Sequence, residues 1–461
     1  MSTAQWTTGH IAAGALAVFF ANQSVQVLAI PFYQMTLAVD AFYLACAMAL
    51  PLLLGSFGAA PLARWLGQTS NVRRHARVLS LGCVLLGLSF AAMWLVPPSW
   101  DSQAQLWYFS VCSLGYFAAL PLLTVPFTAL LLEQAPSHQP GAFAIVSMVH
   151  KLGSLGYQWL VPLCQLSYFA NFVSGVRQVG MVVALLLITL PAWWFARGVR
   201  RGYSSGSQMT GSHMTGADTF PPKATASADT PPSEPHRMPL TQLATQPAMR
   251  RLLAIGALQL CGCAAVAAYD FYLLVYSQFG GDLAAGATQK AWLSSLYAIA
   301  GLAWVPVLTF SQQRLGAIAT LMWVFCLNAL GGAAKWWLYQ ADAGAWVFLD
   351  ALLCSAAWSA IVMLLPPLLH AGAAQHQASA AQVSALHHWL VCLSAASAMV
   401  LAGLGLSSIG FTPTASNLLP LLDQLRAVLS LGTLACSVLA LLLLWQVRLL
   451  LGTGRPAQQV L

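Results

Sequence analysis

The stretch GYSSGSQMTGSHMTGADTFPPKATASADTPPSEPHRMP, residues 202–239, decides how this chain reads. It is polar, rich in Pro, Ser and Thr, and nearly free of large apolar side chains. It has nothing with which to build a core and reads as a tether. With its basic flanks it occupies residues 197–251, and the chain on either side is relentlessly apolar. The interruption cuts the protein into two hydrophobic halves of nearly equal length. One hydrophobic layout repeated across a flexible polar connector is the pattern of a duplicated membrane bundle, the usual chassis of secondary transporters.

The 461 residues are 59% hydrophobic and only 7% charged, with a mean hydropathy of +0.72, whereas soluble chains carry roughly 25% charged residues. The bilayer is therefore the solvent. Backbone groups in lipid must be satisfied internally, which leaves helices or a closed barrel. Runs such as 179–190 and 428–445 lack the alternation of a barrel strand, so the expected class is an all-α membrane protein. At about 20 residues per crossing, the chain reads as twelve spans. They fall at roughly 9–34, 41–63, 78–97, 105–132, 143–166, 177–196, 252–277, 289–310, 316–337, 344–367, 384–408 and 423–447. The expected organisation is a six-helix bundle over 1–196, a cytoplasmic flexible linker over 197–251, a second six-helix bundle over 252–448 and a cytoplasmic tail over 449–461.

The net charge of +8 does not signal nucleic acid, because the basic residues sit at span ends rather than along one face. Arg64, Arg73, Arg74, Arg77, the arginines flanking the connector, Arg314, Arg448 and Arg455 fall on one side. Only Arg177, Lys290, Lys335 and Arg426 fall on the other, each at a span edge. The positive-inside rule places both termini and the connector in the cytoplasm of a bacterial-type inner membrane. Residues 1–8 show no basic leader or cleavage site, so the first span is expected to be retained. The ten cysteines are scattered through apolar segments and read as packing residues. No HExxH, nucleophile elbow or Walker-type loop is present, so neither an enzyme nor a cofactor or metal is expected.

Residues 115–156, GYFAALPLLTVPFTALLLEQAPSHQPGAFAIVSMVHKLGSLG, contain Pro126, Phe127 and Leu130 near the end of the fourth span, then Glu133, then Lys151 and Gly156 in the fifth. This resembles the corresponding spans of the glycoside-pentoside-hexuronide:cation symporters, the melibiose permease family of the major facilitator superfamily. Weaker likenesses lie in the Asn22–Tyr33 region, the basic run Arg73 to Arg77, LTQLATQPAMRRLL (240–253) and the turn at 408–413. The resemblance implies two six-helix bundles around a central cavity and a sugar or glycoside as solute. The chain departs from that family at its cation site. PLLLGSFGAAPLAR (51–64) holds no carboxylate where the family has acids on its second span, Thr124 replaces a sugar-binding acid, LHAGAAQHQASAAQ (369–382) replaces an acidic segment, and Cys392 replaces a lysine. The family's sodium site is therefore not expected here.

Asp270, in YDFYLLVY of the seventh span, is a carboxylate at membrane depth, which costs about 2.5 to 3.5 kcal/mol on insertion scales. It reads as a substrate or proton-coupling group beside Tyr269 and Tyr272, or as an acid near the outer interface. Asp350 faces the same choice, with the interface favoured. Gln23 and Gln26 share a helix face and with Asn22 and Tyr33 are the best cavity candidates, because amides and rings recognise sugars. They could equally join helices. Tyr116, Thr124, Gln158 and Trp358 are further substrate candidates. Glu133 and Lys151, near the cytoplasmic ends of adjacent spans, form a candidate gate pair or a bundle-end contact. His387, His388 and His150 are candidate relay residues, or else interfacial or hydrogen-bonded ones; adjacent His387 and His388 diverge too far around a helix to share a metal.

The expected function is alternating-access transport of a small polar solute, most readily a sugar or glycoside, with a proton as the candidate coupling ion. The partners are the solute and the lipid bilayer, not nucleic acid, and a monomer is expected. The alternatives are a carrier of drugs, peptides or nucleosides on the same fold, or a degenerate member that keeps the fold without transport.

Overall fold

The computed structural model describes residues 8–37, 39, 41–67, 72–134, 138–157, 159–209, 239–374, 378–409 and 418–452. These residues are helical almost throughout. The first half comprises α1 (Thr8–Tyr33), α2 (Tyr43–Leu66), α3 (Arg74–Met93), α4 (Ser102–Leu132), α5 (Gln139–Tyr157) and α6 (Phe172–Arg200). The second comprises α7 (Pro247–Gln278), α8 (Thr288–Leu315), α9 (Ala317–Leu338), α10 (Gly344–Ala374), α11 (Ala380–Leu406) and α12 (Leu419–Leu450). Eleven of them are long and apolar enough to cross a bilayer by composition alone. α5 falls short because Gln139, Ser147, His150, Lys151 and Ser154 interrupt its apolar run. The fifth span also differs from the expected single stretch at 143–166. Pro162 has no N–H to give the preceding turn, and the chain restarts as a separate short helix, Leu160–Cys164.

The spans are apolar all round, as lipid-facing and core-facing surfaces both require. Leu88, Trp107, Val111, Trp292 and Leu442 are exposed on the outside of the bundle, while Phe32, Tyr33, Phe90 and Trp94 pack edge-on within the first half and Phe109 lies tilted against Tyr33. Small residues let backbones approach, as they do where lipid supplies no hydrophobic drive between helices. A Cβ on Gly55 of α2 would meet the Phe117 carbonyl oxygen of α4 at 2.3 Å, and one on Gly332 of α9 the Leu434 nitrogen of α12 at 2.7 Å. Within the first half α4 packs on α2 and α3, and α1 on α5 and α6. Within the second, α9 packs on α12 and α10, and α8 on α10. The halves meet through α5 against α8 and α10, and through α11 against α2 and α4.

The connector begins later than its composition suggests. The helix of α6 continues to Met209, and a short helix at Leu240–Thr245 buries Leu240 and Leu243 before α7 starts. Residues 210–238 of the expected linker and 453–461 of the expected tail lie outside the described residues, as does Gln158. On the side carrying the termini, Arg197 lies 4.4 Å over the Trp193 ring and Arg74 lies 5.6 Å over Trp65. Aromatic and basic residues paired in this way suit a lipid headgroup layer.

Candidate functional site

Three adjoining cavities, of about 300, 260 and 340 Å3, lie along the seam between the halves. Trp358 of α10 borders all three. It sits ten residues into the helix that begins at Phe348, about 15 Å deep and close to the middle of a 30 Å hydrocarbon layer.

The first cavity is lined by Lys151 and Ser154 of α5, Gln259, Cys263 and Asp270 of α7, Lys290 of α8, Asn328 and Lys335 of α9, and Cys354 of α10, among others. Asp270 is therefore a cavity residue, and it is already engaged. The Lys290 ammonium donates to its Oδ2 at 2.5 Å, with the lysine side chain 33% exposed and the aspartate 9%. A second pair is more completely buried. Lys335 donates to Asp350 Oδ2 at 2.9 Å, and the Tyr339 hydroxyl donates to the same oxygen at 2.9 Å. Both charged side chains are almost fully buried, at 5% and 0%. Sequence reading set Asp350 at the outer interface and Lys335 and Lys290 at span edges as topology signals. The structure keeps all three within a few residues of a span end and adds that each has an ionic partner on a neighbouring helix. α9 and α10 cross so that Asp350 and Lys335 neutralise one another in the interior, where an isolated charge is unaffordable.

The second cavity takes in Asn22 and Gln23 of α1, Thr124 and Phe127 of α4, His150 and Lys151 of α5, and Ser384, His387 and His388 of α11. The third is lined by Asn22, Gln23, Gln26, Leu52, Phe117, Trp358 and Cys392, with several alanines of α7 and α11. The amides of α1 thus face the seam. Asn22 uses its N–H on the Val18 carbonyl at 2.8 Å, whereas Gln23 and Gln26 make no hydrogen bond to another described residue. Tyr116 and Tyr269 do not border any of these three cavities. The Tyr116 hydroxyl donates to the Ala21 carbonyl at 2.5 Å from a fully buried ring. Tyr269 packs in a satellite core and donates to the Ala402 carbonyl at 3.2 Å. Both tie helices together. Tyr33 likewise donates to the Met93 carbonyl.

The Glu133–Lys151 gate pair does not form. Glu133 caps the C-terminus of α4 on the exposed surface. Lys151 lies twelve residues into α5, about 18 Å along the helix and therefore near mid-membrane. It crosses the seam instead: a Cβ on Gly301 of α8 would meet Lys151 Cε at 2.7 Å and Cδ at 2.8 Å. What joins the halves is a set of neutral bonds towards the end that carries the termini. Thr124 Oγ1 lies 2.9 Å from His388 Nδ1, Ser384 donates to the Val125 carbonyl at 2.8 Å, and the Trp389 indole donates to the Ser56 carbonyl at 2.6 Å. Nearer the middle, Ser147 donates to the Ser359 carbonyl at 3.2 Å. Of the interfacial and hydrogen-bonded readings, His388 fits the second: it is buried at the seam with Thr124 as its partner. Its ring also lies 3.4 Å from Cys392 Sγ through Nε2. Among the described residues no cluster of metal-ligating side chains occurs, and all ten cysteines are free.

No family model and no curated protein matches this sequence. Solved structures do match in fold. A bacterial homologue of the iron transporter ferroportin in an outward-facing state aligns over 95% of this chain and 98% of its own, at 14% identity and a TM-score of 0.60. The proton:xylose symporter XylE, bound to 6-bromo-6-deoxy-D-glucose, aligns over 95% and 94% at 13% identity and a TM-score of 0.61. FucP in the outward conformation aligns over 95% and 98% at 13% identity and a TM-score of 0.58. The chain has the major facilitator fold: twelve membrane helices in two six-helix bundles.

Proposed function

We propose that this protein is a secondary transporter that moves a small polar solute, a sugar or glycoside in its chemistry, by rocking its two halves about the cavities at Trp358. The observation that carries this reading is that amides from α1, a tryptophan from α10 and charged groups from α5 and α7 face one cavity system made jointly by both halves. Gln23 and Gln26 offer unengaged amides for hydroxyl groups, and Trp358 offers a flat apolar face for the C–H side of a ring. The neutral bonds at Thr124, Ser384 and Trp389 are the contacts that rocking would break. They close the end carrying the termini, which the arginine distribution assigns to the cytoplasm of an inner membrane. Asp270 is the candidate coupling acid: a proton arriving there would release Lys290, and the pair spans α7 and α8.

The test is uptake in proteoliposomes containing the full chain, with labelled neutral sugars and glycosides, with and without an imposed proton gradient. Gradient-driven accumulation that Asp270→Asn converts to simple equilibration supports the reading. Uptake unchanged by Asp270→Asn removes the coupling role. Stabilisation in a thermal-shift screen by amphipathic cations or nucleosides and by no sugar transfers the protein to the alternative solute classes.

A further inference from the structure

The cavity walls hold more positive groups than their carboxylates neutralise. Lys290 and Lys335 each have an aspartate. Lys151 has none: its ammonium makes no ion pair or hydrogen bond to another described residue, and Glu133 faces solvent at the end of α4. Yet Lys151 borders two of the three cavities near mid-membrane, where an unpaired ammonium costs about 2.5 to 3.5 kcal/mol on insertion scales. A second unused donor faces the same cavity. Gln259 of α7 is completely buried, its Oε1 accepts from Asn328 at 3.5 Å, and its Nε2 has no partner. It sits in a widened π-type turn, Leu258–Cys263, a geometry that recurs at functional sites. The third observation is Gly301, whose missing side chain is the groove through which the Lys151 stem reaches the seam.

Buried charges and buried donors are retained when something completes them. We propose, resting on the transport reading above, that the solute is anionic: a hydroxylated molecule bearing one carboxylate or phosphate, which the Lys151 ammonium receives with the Gln259 amide as second donor. The anion supplies the charge that Asp270 and Asp350 do not, because each is already committed to its own lysine. Entry of the solute then neutralises the seam, and an occupied seam can rock through the membrane where an empty one holds an exposed cation.

The experiment compares gluconate and glucose 6-phosphate with glucose as probes on the purified full-length protein, by thermal shift and by counterflow in proteoliposomes. The expected result is stabilisation by an anionic probe and not by glucose, at concentrations up to the roughly 1 mM upper end of ordinary KM values. Lys151→Gln should weaken apparent affinity for that probe roughly 30-fold or more, as removal of one partner of a buried charge contact does, while Lys151→Arg retains most of it. Gly301→Ala, which leaves the charge in place but fills its groove, should weaken the same probe with no comparable loss of thermal stability. If gluconate binds and glucose 6-phosphate does not, or the reverse, the anion is identified as carboxylate or phosphate. Glucose stabilising as well as the anions, or a shift indifferent to Lys151→Gln, overturns the proposal and leaves the transport reading intact. No shift from either anion overturns it as well. Anion binding lost in Lys151→Gln but never accompanied by counterflow leaves the anion site standing and removes the transport reading.

Discussion

The two halves treat buried charge in opposite ways. In the second half both described lysines, each within a few residues of a span end, have an aspartate on a neighbouring helix, Lys290 with Asp270 and Lys335 with Asp350. In the first half the one lysine, Lys151, has no such partner: in the second cavity it stands among neutral amides, hydroxyls and histidines, and in the first it faces a wall whose aspartate is already held by Lys290. Paired charges hold helices at fixed distances, so those of the second half read first as architecture. A charge left open at a seam reads as a place for something that comes from outside the chain.

The contrast is sharpest in stability. Asp350→Ala leaves Lys335 buried and uncompensated, and should cost about 3 to 5 kcal/mol, read as a large fall in melting temperature. Replacing both members by Leu and Met should recover most of it, since well-packed apolar residues replace a buried pair at little cost. Lys151→Met should act in the opposite direction. It removes an unpaired charge and should raise thermal stability, by at most about 3 kcal/mol, while abolishing anion-dependent stabilisation. A melting temperature lowered as far by Lys151→Met as by Asp350→Ala would erase the distinction between the halves.

Smaller effects sharpen the same picture. Thr124→Val removes the hydroxyl facing His388 and should weaken closure of the termini end by about 1 kcal/mol. Faster cross-linking of a cysteine introduced at Ser384 by a membrane-impermeant reagent from that side would report it, and an unchanged rate would show that the bond does not hold the halves together. Asp270→Asn, in the partly solvated pair, should change stability by less than about 1 kcal/mol. Its effect belongs in gradient-driven accumulation, and a stability loss comparable to that of Asp350→Ala would make it a structural pair like the other.

Part of the cavity lining was legible residue by residue. Gln23 and Gln26 three apart on α1, Asp270 at depth in α7, and Trp358 in α10 each announced themselves as polar or aromatic groups in apolar spans, and each borders a cavity. What was not legible was partnership. Lys335 and Asp350 are fifteen residues apart on two helices, and nothing in either segment says that their crossing brings Nζ to 2.9 Å from Oδ2. Tyr116 and Tyr269 have the composition of cavity residues, but a rotation about the helix axis of one residue, about 100°, separates a lining side chain from one that ties helices together. Lys151 and Glu133 are near in sequence and opposite in charge, yet α5 carries the lysine away from the surface and across to Gly301.

By itself the sequence determined the solvent and the count: an apolar chain interrupted at residues 197–251 has to cross a bilayer as helices, because only helices satisfy their own backbone there, and it has length for twelve. Tertiary structure alone decided which buried charges are spoken for. Neutralisation depends on which helices cross at which depth and rotation, over a few ångströms. Only that packing shows that, of the three described lysines, two are balanced by aspartates and Lys151 is not.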